Sequence, residues 1–214
     1  MVDVDGVPIT GRPADGRHWA ADLEADLGLG FENLQTAFFK PFWEEIVIGR
    51  VDLRERLTSV LARLAPELTA DHLITYWFRQ DSRLNSQLLC ELDIVREGGV
   101  RIYLATNQEH ERARYLMQRL GLAPHVDGCC YSAAIGHRKP TAGFFDAVAS
   151  RVELLPGELL LIDDDAENVR AAVNAGWRAV QWMAGERLCD LLGRFPTRIT
   201  ADGLRQNRYR DDLR

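Results

Sequence analysis

Glu158-Leu159-Leu160-Leu161-Ile162-Asp163-Asp164-Asp165 is the stretch on which the architecture turns. Its apolar run is too short for a helix and reads as a strand buried on both faces, the kind found inside parallel sheets. Three carboxylates stand where that strand ends. The same texture repeats on either side. Upstream, Val100-Arg101-Ile102-Tyr103-Leu104-Ala105 reads as a strand closed by Thr106-Asn107, and a helix runs from Glu109 to Leu120 before stopping at Gly121. Val126 to Tyr131 is a short strand, 132–140 a loop and Phe144 to Val152 a helix. Downstream, a helix spans Glu167 to Ala175, Gly176 ends it, and Arg178 to Trp182 is a last strand. Such alternation predicts the α/β class: a Rossmann-like parallel sheet core flanked by helices, with right-handed crossovers. A ligand site belongs beyond the carboxyl ends of its strands.

The first residues, Met1-Val2-Asp3-Val4-Asp5-Gly6-Val7, add a second acidic strand end. Asp3 and Asp5 are two apart, and Gly6 permits the turn that lets both carboxylates address one point. Two like charges so close repel unless a cation lies between them. The demand is for a hard divalent ion with oxygen ligands, most simply Mg²⁺. Only Met1 and Val2 precede Asp3, against about five residues in an ordinary strand.

Between these strand ends lies a block without a convincing strand. Pro8 to Asp15 reads as a linker. Helices are predicted from His18 to Leu27, over 31–48 with a kink at Pro41, from Asp52 through Leu64, from about Thr69, and from Leu84 to Glu97. The division predicted is a catalytic core of residues 1–12 and 95–193, an inserted helical-bundle cap of 13–94, and a C-terminal tail of 194–214. The aromatics of the block, Phe38, Phe39, Trp43, Trp77 and Phe78 among them, fall at helical spacing and read as bundle core.

A chain of 214 residues with 46% hydrophobic content holds one ordinary domain and a smaller insert. Its net charge of −6 argues against a nucleic-acid partner. Cys90, Cys129, Cys130 and Cys189 show no paired spacing, which suits a reduced, cytoplasmic chain. A zinc site of His125, Cys129 and Cys130 lacks a second ligand pair of recognisable spacing. No apolar run reaches membrane-spanning length, and no leader pattern precedes the acidic motif. Oligomeric state is not legible.

Gathered at one end of the sheet, Asp3, Asp5, Thr106, Lys139, Asp163 and Asp164 suit phosphoryl transfer. A carboxylate attacks phosphorus, and a second gives and takes protons. A hydroxyl and backbone N–H groups hold phosphoryl oxygens, a lysine neutralises the anions, and the far aspartates complete a Mg²⁺ shell.

The chain resembles the haloacid dehalogenase superfamily, in the subgroup with a helical cap inserted after the first motif. Asp3-Val4-Asp5-Gly6-Val7 is similar to its first motif, Leu104-Ala105-Thr106-Asn107 to its second, Arg138-Lys139-Pro140 to its third, and Leu160-Leu161-Ile162-Asp163-Asp164 to its fourth. The resemblance implies Asp3 as nucleophile and Asp5 as general acid/base. It implies Thr106 and Asn107 as phosphoryl binders, Lys139 as the group steadying an aspartyl-phosphate, and Asp3, Asp5, Asp163 and Asp164 as the metal set, Asp5 through its backbone carbonyl. Asn168 stands where many relatives have Asp. Asp5 favours phosphate ester hydrolysis over dehalogenation, whose halide leaving group needs no proton. The activity implied is a Mg²⁺-dependent phosphatase of a small phosphorylated metabolite. A phosphomutase and a lapsed binding or scaffold protein remain as alternatives.

Overall fold

The computed structural model describes residues 1–195. The expected tail therefore lies outside the described residues, apart from Arg194 and Phe195. Among the described residues four strands are present: β1 (Tyr103–Thr106), β2 (Gly128–Tyr131), β3 (Leu160–Asp163) and β4 (Arg178–Gln181). β1 pairs with β2 and β3 with β4, both in parallel.

The segment Met1–Asp3 joins the two pairs into one sheet. Val2 N–H donates to Tyr103 O and Val2 O accepts from Ala105 N–H, each at 2.9 Å. On the other side Asp3 N–H donates to Ile162 O and Ile162 N–H to Met1 O, again at 2.9 Å. The spatial order is β2, β1, Met1–Asp3, β3, β4, all parallel. Met1, Val2 and Asp3 thus occupy the central position, hydrogen-bonded on both sides.

Alternate residues of the strands feed two layers, as the period of two requires. Val2, Leu104 and Ile162 pack on one face with Leu88, Leu92 and Val95 of helix α6 (Ser86–Glu97). Ala105 and Leu161 pack on the other face with Phe144, Phe145 and Val148 of helix α9 (Ala142–Val152). Leu161 is fully buried and Ile162 nearly so, as the apolar run predicts. Helix α7 (His110–Gln118) follows β1, α8 (Ser132–Ile135) follows β2, and α10 (Ala166–Asn174) follows β3.

A second interior belongs to the helices α1 (Leu23–Leu27), α2 (Phe31–Leu34), α3 (Lys40–Val47), α4 (Leu53–Leu64) and α5 (Ala70–Gln80). Phe38, Trp77 and Phe78 are buried there, and Trp19 stacks on Trp77 with ring centroids 5.2 Å apart. Asp52 and Thr69 cap α4 and α5 by accepting from the N–H groups of Glu55 and His72. The kink expected at Pro41 takes the form of a π-helical turn over Gln35–Phe39. A proline cannot donate to the carbonyl four residues back and crowds it, so widening the preceding turn accommodates the ring.

α6 was expected with the inserted helices, yet its apolar face shares the sheet's interior. The chain changes layers before it, where residues 8–11 meet 83–85. Thr10 N–H donates to Arg83 O, Arg83 N–H to Gly11 O, and Asn85 N–H to Pro8 O, at 2.8–2.9 Å. The outgoing and returning segments of the insertion are thereby zipped together. No helix among the described residues is long and apolar enough to cross a membrane.

Candidate active site

All six polar residues singled out at strand ends lie at the carboxyl edge of the sheet. Asp3 follows the central rung, Thr106 ends β1, and Asp163 ends β3. Lys139 reaches in from the loop before α9, wholly buried. Its Nζ lies 2.8 Å from Asp3 Oδ1 and 2.6 Å from Asp163 Oδ2. Burial alone would lower the lysine's pKa, but the two carboxylates outweigh it and hold the ammonium charged.

One ammonium does not neutralise the acidic group. Asp3, Asp163 and Asp164 each offer an oxygen within 4.8 Å of the others. Burial, and then the neighbouring aspartates, push Asp3 up to about 6 against the pull of Lys139. Asp164, though exposed, rises to about 6 by partial desolvation and by the charges of Asp3 and Asp163.

Gly6 makes this crowding sterically feasible. Its φ is +79°, and a methyl group there would stand 2.1 Å from Asp164 Oδ2. The absent side chain is the space into which the Asp164 carboxylate leans. Excess negative charge, hard oxygen donors and a cradle open only to glycine fit a divalent cation such as Mg²⁺. The side-chain oxygens that converge are those of Asp3, Asp163 and Asp164; the Asp5 carboxylate stands outside that trio.

Asn168 donates its amide to both oxygens of Asp163 at 3.1 and 3.2 Å. Asp165 N–H adds a bond at 2.9 Å, so Asp163 is oriented by neutral donors as well as by Lys139. Asp165 itself caps α10, accepting from Glu167 N–H.

Asp5 occupies a separate position. Its side chain is exposed to solvent on one side, with protein atoms crowding the other. That crowding and the nearby charge of Asp81 push it up to about 6, opposed by Arg112 and by a hydrogen bond from Gln108. Gln108 Nε2 donates to Asp5 Oδ2 at 2.7 Å and stands 3.4 Å from Thr106 Oγ1. Thr106 is buried.

Asn107 grips the backbone of Lys139. Its Nδ2 donates to Lys139 O at 2.9 Å and its Oδ1 accepts from Lys139 N–H at 2.8 Å. A primary amide matches one residue's backbone donor and acceptor, and its second amide hydrogen stays uncommitted. Asn107 therefore fixes the loop that delivers Lys139.

Gln108, Asp81 and Arg112 fall outside the four motifs. Arg112 is buried, donates to Phe78 O at 3.1 Å and to Asp81 O, and pairs with the Asp81 carboxylate at 3.3 Å. A polar residue directly after a strand-end motif was the available signal for Gln108. Nothing in the order of residues marks Asp81 or Arg112. The zinc grouping does not form: His125 faces Asp93 at 2.9 Å, and burial pushes the Cys129 thiol up to about 12. No metal-competent group of three among the described residues includes them.

Parallel strands, an acidic cleft beyond their ends and helices between the first acidic pair and β1 define an α/β protein with a metal-ready site. Residues 1–176 match the model of the haloacid dehalogenase-like hydrolases, and the chain belongs to that family. The sesquiterpene phosphatase astK of Aspergillus oryzae is 28% identical over 196 residues, covering 90% of each chain. A phosphorylated carbohydrates phosphatase of Thermotoga maritima is 22% identical over 156 residues, 68% of this chain and 72% of that one. A HAD family enzyme of Bacteroides thetaiotaomicron, crystallised with magnesium and inorganic phosphate, has the same fold. Its TM-score is 0.74 at 18% identity, over 89% of this chain and 96% of that one.

Proposed function

We propose that the chain is a Mg²⁺-dependent phosphatase that hydrolyses a small phosphorylated metabolite through an aspartyl-phosphate on Asp3. The observation that carries this reading is the buried contact of Lys139 with both Asp3 and Asp163, beside Asp164. It supplies a nucleophile, a fixed cation and a metal-ready acidic cluster within one cleft. The names of the two relatives, both phosphatases, support it.

In the first half-reaction an Asp3 oxygen forms a bond to phosphorus as the ester P–O bond breaks. The Asp5 carboxyl gives its proton to the departing oxygen. In the second, a water oxygen bonds to phosphorus as the P–O bond to Asp3 breaks, and Asp5 takes that water's proton back. Lys139 offsets the charge on Asp3 and on the transferred group. Thr106 Oγ1 and the backbone N–H groups at the end of β1 hold phosphoryl oxygens. Asp3, Asp163, Asp164 and the Asp5 carbonyl would hold Mg²⁺, which would supply Lewis-acid stabilisation of the phosphoryl oxygens. The helices from Leu23 to Gln80 act as the cap, closing over the cleft from the zipped hinge at 8–11 and 83–85.

The test is hydrolysis of p-nitrophenyl phosphate and a panel of alkyl phosphates, with Mg²⁺ and with a chelator. Asp3→Asn should lower kcat by about 10³-fold or more, and chelation should abolish turnover. Retained activity in Asp3→Asn removes the nucleophile. A folded wild type inert on every ester favours the binding or scaffold alternative.

A further inference from the structure

We propose that Gln108 is a positioning residue of this reaction, setting the Asp5 carboxylate and the Thr106 hydroxyl with one side-chain amide. The assignment rests on the phosphatase reading. Asp5 sits just before Gly6 in a turn, and solvent reaches it, so little else restrains its carboxylate. Gln108 is nearly fully buried, with 4% exposure. Its own backbone is tethered: Gln108 O accepts from Ser132 Oγ at 3.1 Å and from Ala133 N–H at 3.2 Å. The amide therefore projects from a fixed base toward a side chain that needs fixing.

The chemistry of the contact is directional. Nε2 only donates, so it engages one carboxylate oxygen, Asp5 Oδ2, at 2.7 Å. Oδ1 is then the oxygen turned to the departing group. The same nitrogen, 3.4 Å from Thr106 Oγ1, sits between the proton-handling and the phosphoryl-holding side chains. Loss of the amide should leave both groups present but unaligned, and misplacement of about 1 Å costs on the order of 10²-fold in rate.

Leaving groups separate this role from mere packing. A p-nitrophenolate departs with little help from an acid, whereas an alkoxide needs its proton. The experiment measures kcat/KM of wild type, Gln108→Met and Gln108→Glu for p-nitrophenyl phosphate and for the alkyl phosphate turned over fastest. Gln108→Met should lose about 10–100-fold on the alkyl ester and markedly less on the aryl ester, with an unchanged melting temperature. Gln108→Glu keeps the shape, cannot donate when ionised and repels Asp5, so it should show the same split; it carries the test should the methionine variant not fold. Equal losses on both esters, or none, overturn the assignment while leaving the phosphatase reading intact. A wild type that hydrolyses neither ester removes both.

Discussion

Gly6 shows how one absent side chain serves two demands. Its φ of +79° is costly for any residue with a Cβ, and the space that Cβ would fill holds the Asp164 carboxylate. Gly6→Ala should cost about 1–2 kcal/mol through backbone strain and push Asp164 from its partners. The Mg²⁺ concentration that half-activates the enzyme should rise by about 10–100-fold. A Mg²⁺ titration of activity checks this, and an unmoved midpoint would detach Asp164 from the metal. The sequence shows a glycine after two carboxylates and so predicts a turn there. It cannot show Asp164 arriving from far along the chain. Asn107 teaches the converse: its motif is plain in the sequence, but which hydrogen bonds its amide makes depends on where the Lys139 loop lands.

Helix α7 is anchored by a buried acid. Glu109 caps it, accepting from the N–H groups of Glu111 and Arg112, while burial raises its pKa to about 7. The folded pKa exceeds the unfolded one, so the folded chain binds this proton more tightly. The resulting stabilisation is complete below the unfolded value of 4.5 and is lost as pH rises through about 7. Between pH 5 and 8 the wild type should lose about 2–3 kcal/mol that Glu109→Gln does not. Urea unfolding of both proteins at the two pH values measures the difference, and parallel losses refute it. Capped, periodic elements were readable: Asp52 and Thr69 mark their helices by residue type alone. α8 falls in a stretch that reads as loop, because four residues give no periodicity. The π turn was foreseen only as a kink, since Pro41 dictates a disturbance without dictating its form.

At the scale of the molecule, the inserted helices meet the sheet layers through contacts of very different worth. Arg54 bridges Asp71 and Glu111 near the surface. Arg112 is buried between the rings of Phe78 and Tyr115, at 5.2 and 5.5 Å, and satisfies the last turn of α5. Arg112→Met would strand buried carbonyls and the Asp81 carboxylate, costing about 3–5 kcal/mol. Arg54→Ala should stay within about 1 kcal/mol. Thermal unfolding of the two variants decides, and similar losses would mean the seam is not anchored at Arg112. The layer order and the carboxyl-edge position of the acids were legible, because strand ends and crossover rules are local. The place of α6 was not, since an apolar helical face does not say which of two interiors it enters.

The central rung has a consequence for biosynthesis. Val2 is made long before Leu104 and Ile162, the residues it must lie between. While a nascent chain is still shorter than Asp163, one flank of that first segment has no mate, and its open backbone groups are exposed to foreign strands. Sheet closure must therefore wait until most of the polypeptide has cleared the ribosome, so the earliest-made piece of the catalytic cleft is among the last to be locked in place.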